Sequence, residues 1–490
     1  MSCELQSNPG DSIPDGALAS GFTASWFSKD VRGARGLFVI EESGEVLGIA
    51  RSASPRAIVV MRDVNNDGTA DGVTVLAEEP TLTHGLAVHG QYIYASSDTT
   101  VFRWPYQPGS GGKIPNNLKV VVVKNMNADG AGGAPMGHKT RTLVFDNVGR
   151  LYVSVGSAGN VDSDSYRSRI RRFNISNFPV GGIDFVSSGE LFADGLRNEV
   201  GLAFDLQWRL WGVENGADNL IRNDLGGDIH NDNPAEELNL FDKQIGSHYG
   251  YPFCFTEYSL PKSVSEGGRG TVWAWPSFMN DGTHDDSWCR SNTIPPVVSM
   301  QAHSAPLGIV FYNSSKYVDP SCSANGLQPF PASMDGDAFI AFHGSWNRQP
   351  STGYKVVRVP MDDGNSAGKE PIDFFCHKGS EANWPSGIRP VDVKFDKCNR
   401  LLVSSDGTSG RGDGIILISY SGSSKSPGDC QSCGDGKFNF LFLLIPLFFV
   451  VVFGAVAAWA RKKNKLQWSC CRSNKSKTAS VEDKNAERSV

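Results

Sequence analysis

Short apolar or alternating runs recur along this chain, each ending in polar residues, often after a turn that contains Gly or Asn. Leu37–Ile40 leads to Glu41, and Tyr92–Tyr94 leads to Ser96, Ser97 and Asp98. The fullest copy is Leu143–Val155, where Leu143–Phe145 and Leu151–Val155 flank the turn Asp146–Arg150. Leu202–Trp211, Ala338–Phe342 and Val393–Val403 repeat it. The copies begin roughly 55–65 residues apart, a spacing of the order seen in blade repeats. The exception is a wide gap between residues 213 and 338, which holds a Pro- and Trp-rich insertion at 222–305. Short strands joined by Gly turns at such a period predict propeller blades, and six copies predict six blades. A sandwich does not repeat one motif six times. No sustained amphipathic helical pattern precedes residue 420. The expected fold is therefore all-β, a six-bladed β-propeller over residues 15–420.

The chain has 490 residues, 40% of them hydrophobic, with 54 Gly. That supports a large core, and an all-β propeller of this size is one domain. Beyond it, 421–437 reads as a Ser/Gly/Lys/Pro stalk. Phe438–Ala460 contains no charged residue and is long enough to span a bilayer as a helix. Arg461, Lys462, Lys463 and Lys465 follow at once, and positive charge beside a span marks the cytoplasmic side. The expectation is a single-pass membrane protein with an extracellular or lumenal propeller and a polar cytoplasmic tail at 461–490. Cys470 and Cys471 sit where palmitoylation is feasible. Met1–Gly10 has neither a basic nor an apolar stretch of a signal peptide, so a start upstream of this one is expected.

The formal charge is −6, but residues 461–490 carry nine Lys/Arg against three Asp/Glu, which leaves the other 460 residues at −12. An acidic body with no basic stripe argues against nucleic acid as a partner. Of the ten cysteines, Cys254 with Cys289 and Cys376 with Cys398 are close enough in sequence for local disulfides, although connectivity is not fixed by spacing. Cys430 and Cys433 stand in the stalk, outside any redox fold. Asn174–Ser176 and Asn313–Ser315 are glycosylation sequons that suit an external body.

Several residues carry candidate chemistry. His138 precedes the Leu143 strand, where an imidazole at the loop facing a channel is a natural base near pH 7. Asp63, Asn65, Asp67 and Asp71, with Gly68 after the third, resemble the first half of an EF-hand calcium loop. The bidentate Glu is replaced by Thr74, and an Asx-rich hairpin turn explains the same residues. Gly195–Asp205 followed by Leu210–Asp218 puts Arg197 and Asn198 before one apolar strand and a Gly turn with carboxylates after the next. This layout suits an anionic ligand beside a hard cation.

The last segment closely resembles the ligand-binding blade of quinoprotein sugar dehydrogenases: the soluble glucose, aldose-sugar and pyranose enzymes that use pyrroloquinoline quinone (PQQ), and the sorbosone dehydrogenase-like proteins. The resemblance implies PQQ and Ca2+ as cofactors and a sugar as substrate. By it, His138 matches the catalytic base, and Arg197 and Asn198 match the pair that binds PQQ. A guanidinium suits the carboxylates and quinone oxygens of PQQ. The carbonyls of Gly216 and Ala217 match the ligands of the calcium that also binds PQQ. Glu236, Glu237 and Tyr249 match a second, structural calcium site in bacterial enzymes, with Asn219–Pro234 inserted between turn and carboxylates here. His303–Tyr312 and His343–Arg358 look like the sorbosone branch. Where bacterial glucose enzymes have a Lys toward the quinone, this chain has His343, Trp346 and Arg348. Arg389 matches a further PQQ-facing Arg. The implied protein is a membrane-anchored oxidoreductase acting on an aldose, pyranose or sorbosone-like sugar, with an unidentified electron acceptor. The alternative is a non-catalytic propeller receptor or decoy on the same anchor, since fold does not fix function.

Overall fold

The computed structural model describes residues 5, 12–13, 15–127, 138–163, 166–316, 318–361, 370–379 and 382–422. The span Phe438–Ala460, the stalk beyond 422 and the tail lie outside the described residues. Among those described, no helix is long and apolar enough to cross a membrane.

Six antiparallel sheets follow one another along the chain. Blade 1 is Ala34–Ile40, Glu45–Ala50, Ala57–Met61 and Val73–Glu78; blade 2 is Leu86–His89, Tyr92–Ser96, Val101–Pro105 and Val120–Lys124. Blade 3 is Leu143–Phe145, Arg150–Val155, Arg169–Asn174 and Glu190–Asp194; blade 4 is Glu199–Phe204, Leu210–Glu214, Glu236–Leu240 and Val298–Met300. Blade 5 is Pro306–Phe311, Ala338–Phe342, Lys355–Val359 and Ile372–His377. Blade 6 is Pro390–Phe395, Leu401–Thr408 and Arg411–Tyr420. Its fourth strand is Phe22–Ser28 from the chain start, paired from Phe22 opposite Tyr420. That exchange closes the ring, first strand against last. The expected six blades are all present.

The recurrent turn has a local cause. In blades 3, 4 and 6, an Asp ends the inner strand and an Arg four residues on begins the next. Asp146, Asp205 and Asp396 each accept the backbone N–H of Arg150, Arg209 and Arg400 at 2.8, 2.9 and 2.9 Å, and the guanidinium Nε at 2.6, 2.7 and 2.7 Å. Gly149, Trp208 and Asn399 take the left-handed turn position, at φ 82°, 61° and 57°. In these three blades the pattern legible in the sequence is thus a carboxylate that satisfies its own hairpin turn.

Inner strands from successive blades stand side by side around a channel of about 360 Å³, lined mostly by apolar residues such as Leu37, Leu86, Leu143, Val200 and Leu307. Their first residues meet at one end. The Ser96 hydroxyl donates to the Arg141 carbonyl at 2.7 Å, Thr142 donates to the Val200 carbonyl, and Asn215 donates to that of Pro306 at 2.6 Å. Leu37 N–H donates to Asp392 at 2.8 Å, which brings the first blade against the last. A Cβ on Gly85 would lie 2.0 Å from the Arg141 carbonyl oxygen, and one on Gly308 would lie 2.6 Å from Asp392 Cα. These approaches tolerate no side chain.

The stretch 222–305, expected as an insertion, supplies the third and fourth strands of blade 4, and between them short hairpins, such as Cys254–Thr256 with Val272–Ala274, and the helix Asp286–Asn292. Cys254–Cys289 is a disulfide, as expected. The Cys376–Cys398 expectation is corrected: Cys398 pairs with Cys322, 76 residues away, and Cys376 is engaged in another disulfide. Sequence spacing favoured the shorter loop. The fold instead lays the helix Pro320–Ala324 against the turn that carries Cys398, where Cys322 Sγ also lies 3.9 Å from the Lys397 carbonyl oxygen.

Candidate active site at the leading end of the inner strands

Each inner strand is approached through a segment at the same end of the channel, and each second strand leaves there. Arg35, His84, His138, Arg197, His303 and Arg389 belong to the incoming segments, and Ser157, Asp218, His343 and Asp406 to the outgoing ones. Sites at the ends of regular strands are held by the whole sheet.

His138 is buried. Its Nδ1 lies 2.9 Å from Ser157 Oγ and 3.1 Å from the Ser157 carbonyl oxygen. Ser157 Oγ spends its own proton on the Gly159 carbonyl at 2.6 Å. Both partners of Nδ1 therefore accept, Nδ1 carries the ring proton, and Nε2 holds a lone pair. Burial and the charge of Arg197 push His138 down to about 3, so the imidazole is neutral at pH 7.

Arg197 is buried beside it, and all five of its N–H groups are spent within the protein. Nε donates to the Asn160 carbonyl at 3.2 Å. Nη1 donates to the carbonyls of Asn215 at 3.2 Å and Gly216 at 2.6 Å. Nη2 donates to Asn160 Oδ1 and Asp218 Oδ2, both at 3.0 Å. Asp218 also faces His303 Nδ1 at 3.6 Å, and His303 Nε2 donates to the His230 carbonyl at 2.5 Å. Burial alone raises Asp218, but His303 and Arg197 outweigh it and hold it ionised. Burial likewise lowers His303, while Asp218 and Glu236 raise it further. The side-chain amide of Asn198, also buried, makes no hydrogen bond among the described residues.

Behind Arg197 lies a cavity of about 30 Å³, lined by Glu214, Gly216, Ala217, Glu237 and Tyr249 among others. That holds one ion or one water. Burial raises Glu199 and Glu214 strongly and carries Glu236 and Glu237 up to about 7. Glu236 is committed to the backbone N–H groups of Gly216 and Ala305, at 2.8 and 3.0 Å. Asn239 Nδ2 stands 3.3–3.4 Å from Glu199, Glu214 and Glu237, while its Oδ1 has no partner. Among the described residues, no three His, Cys, Asp or Glu side chains are grouped to hold a metal. The cavity instead combines two carboxylates with backbone carbonyls. That donor set fits a hard cation such as calcium.

On the other side, Arg389 donates from Nε to the His343 carbonyl at 3.2 Å and lies over the Tyr354 ring. His343 Nε2 is 2.8 Å from Asp406, whose second oxygen accepts from Arg35 at 2.9 Å. Burial lowers His343; His343 and Arg35 hold Asp406 well down against its own burial.

Three sequence-predicted groups lie elsewhere. Trp346 is 70% exposed, which removes core packing as its explanation. Arg348 ties the rim together through Asn231, Asp232 and Pro350. Asp63 accepts from Gly68 N–H and Arg400, Asn65 and Asp67 bond each other, and Asp71 caps Val64 N–H. The turn caps itself and is stitched to blade 6 by a guanidinium, while Asp63 Oδ1 is buried without a hydrogen bond among the described residues. The residues missed from sequence are Ser157, Asn160, Asp218, Asp406 and Arg35. For all but Arg35, which opens the first strand of blade 1, the one signal was position: polar residues toward or past the end of a second strand, as in Ser96–Asp98.

A six-bladed propeller with a buried imidazole, arginines and a small carboxylate-lined cavity at one channel mouth defines the class of PQQ sugar dehydrogenase propellers. The chain belongs to the TrAA12-like family, whose model matches residues 16–419. It is 30% identical over 405 residues to a pyrroloquinoline quinone-dependent sugar dehydrogenase of Hypocrea jecorina, covering 76% of this chain and 82% of that one. It is 32% identical over 312 residues to a pyrroloquinoline quinone-dependent pyranose dehydrogenase of Coprinopsis cinerea, covering 60% of this chain and 38% of that relative. The holo PQQ domain of the Coprinopsis cinerea pyranose dehydrogenase superposes with a TM-score of 0.68 at 28% identity, over 84% of this chain and 99% of that domain. A calcium structure of the Trichoderma reesei family AA12 enzyme gives a TM-score of 0.68 at 27% identity, over 85% and 99%.

Proposed function

We propose that this chain is a PQQ- and calcium-dependent sugar dehydrogenase that oxidises a hydroxyl of an aldose, pyranose or sorbosone-like sugar. The observation that carries the reading is His138, with Nδ1 locked to Ser157, Nε2 bearing a lone pair, and Arg197 alongside. A neutral, oriented imidazole is the group needed to take a hydroxyl proton. Arg197, Asn198 and Arg389 are the residues that would hold the carboxylates and quinone oxygens, and Asn198 has its amide free for this. The carbonyls of Gly216 and Ala217 would hold the calcium that meets PQQ, while Glu237 and Tyr249 match the second, structural calcium site. When bound, PQQ supplies the two-electron acceptor for the hydride. His138 Nε2 takes the proton of the anomeric hydroxyl, and the buried Arg197 charge stabilises negative charge that develops beside it. The product from an aldose is a lactone. The apolar channel wall beneath excludes bulk water from the mouth.

Phe438–Ala460 and its basic flank support a membrane anchor with the propeller outside the cell or in a lumen. The described disulfides agree with an oxidising compartment. Electrons then leave to an external acceptor. The purified chain, given PQQ and calcium, should reduce a dye when supplied with sugars. One observation favours the receptor reading instead: Arg197 spends all five donors internally. Absence of dye reduction across a broad sugar panel, with PQQ bound, would decide for it.

A further inference from the structure

His138 answers for one proton, yet oxidising a hydroxyl to a carbonyl and passing the electrons on releases two. A second imidazole stands at the same mouth. His343 follows the second strand of blade 5, its N–H donating to the Ala305 carbonyl at 2.9 Å and that of Gly344 to the Ser304 carbonyl at 3.0 Å. His303, at the start of the same segment, turns toward Asp218 on the His138 side. Residues 303–305 thus part the mouth into a His138 half and a His343 half.

His343, Asp406 and Arg35 form a chain across blades 5, 6 and 1, at 2.8 and 2.9 Å. An ionised carboxylate only accepts, so the proton of the imidazole sits on Nε2. The lone pair is on Nδ1, which has no hydrogen bond among the described residues. This is a base oriented by a carboxylate that is itself oriented by a guanidinium, the logic of a catalytic dyad. The charges that face it are Asp406, Arg389 and Arg35, with Arg51 and the buried His84 alongside. Burial, with Arg389 and Arg35 adding to it against the pull of Asp406, keeps the imidazole neutral and able to accept.

Resting on the dehydrogenase reading, we propose that His343 is the proton acceptor for reoxidation of the reduced cofactor, with Asp406 and Arg35 as its positioning residues. In the step, a quinol O–H bond breaks as an N–H bond forms at His343 Nδ1. Two electrons pass to two molecules of an external one-electron acceptor, and the second proton leaves to water.

The test uses the full chain loaded with PQQ and calcium. The cofactor is reduced with dithionite, so the assay runs whatever the sugar, and is mixed with ferricyanide. His343→Gln and Asp406→Asn should slow reoxidation on the order of 10²-fold, the range of a lost general base. Sugar-driven reduction, followed separately, should suffer at least tenfold less, on the order of the margin expected when the two bases act in different half-reactions. Reoxidation in the wild type should fall as His343 is protonated at low pH, and that limb should vanish in His343→Gln. Independently, nitrogen NMR of the cofactor-free protein should show His343 as the Nε2–H tautomer, and Asp406→Asn should mix the tautomers. Arg35→Met removes the guanidinium that orients Asp406 and should slow reoxidation while sparing sugar-driven reduction, so the test stands if either other variant fails to fold. Unchanged reoxidation, equal slowing of both half-reactions, or an Nδ1–H tautomer would each overturn the proposal. A wild type that reoxidises normally but is never reduced by sugar would overturn the dehydrogenase reading instead.

Discussion

Arg197 donates to the Gly216 carbonyl oxygen at 2.6 Å, and so a guanidinium rests on an oxygen that the family resemblance gives to calcium. The same side chain is paired with Asp218 at 3.0 Å. A cation is therefore present at this turn with or without metal, and binding calcium at Gly216 competes with one of five Arg197 hydrogen bonds. The released donor is then free for an anionic ligand. Charge-assisted bonds of this kind contribute roughly 1.5–3 kcal/mol each. Arg197→Ala should weaken PQQ binding by about 10- to 100-fold, on the same scale. Fluorescence titration with PQQ at saturating calcium measures it, and an unchanged affinity would remove Arg197 from cofactor binding.

His138→Ala should leave PQQ affinity nearly intact and lower sugar-dependent dye reduction by roughly 10²–10⁴-fold. The reason is geometric. Ser157 takes Nδ1, and Nε2 is left as the only basic atom of the ring. Comparison with the wild type at saturating PQQ and calcium is decisive, since equal rates would exclude His138 from proton transfer.

How much of this was legible beforehand differs between fold and site. The six blades were legible because short apolar runs recur along the chain, and in blades 3, 4 and 6 the hairpin turn carries its own solution. Asp146 and Arg150 lie four residues apart, so the turn that they build shows as a sequence motif. His138, Arg197 and Arg389 were legible only through the resemblance, as single residues of the right type in the right order. Their partners were not. Arg35 and Asp406 are 371 positions apart and meet only because the ring closes. Asp218 reads as one more turn carboxylate until Arg197 and His303 are seen on either side of it. The Cys322–Cys398 bridge was missed for the same reason: spacing reports loop length, and the fold decides which sulfurs face each other.

The cavity behind Arg197 predicts a calcium-dependent stability. Glu214 and Glu237 line it together with Gly216 and Ala217, and both carboxyls are buried. A cation that binds only the folded chain stabilises it by about 2.7 kcal/mol at a hundredfold excess over its Kd. Thermal unfolding of the PQQ-free protein should therefore shift upward by several degrees on going from chelator to calcium. Glu237→Gln should remove most of that shift without lowering the midpoint in chelator. An equal calcium shift in wild type and variant would place the ion elsewhere.

Protonation of His138 predicts an acid-side loss of stability. Its value in the fold, about 3, is below the roughly 6.5 of an exposed histidine. Between those values the unfolded chain binds a proton that the native chain refuses, so stability is complete above about pH 6.5 and declines as pH falls toward 3. His84 and His343 are shifted in the same direction by burial and add to the slope. Urea midpoints of the wild type should fall between pH 7 and 5, and His138→Gln should flatten part of that fall. A variant with an unaltered slope would mean that His138 is solvated and charged, which would also undo the argument for a neutral base.

The anchor gives the last prediction. The apolar stretch Phe438–Ala460 is bounded on one side by the propeller and on the other by Arg461, Lys462, Lys463 and Lys465. Basic residues beside a span remain in the cytoplasm, so the propeller should face outward, where its disulfides are stable. Protease added to intact cells should release the body and spare an epitope placed after residue 461. Deleting 438–460 should turn the protein from a membrane-bound form into one recovered in the soluble fraction, with the propeller still folded. A protected body with a digested tail would reverse the orientation. Release of the intact chain by alkaline carbonate would mean that the stretch does not span at all. An outward propeller also fixes the electron path: the acceptor must reach the channel mouth from outside the cell or from the lumen.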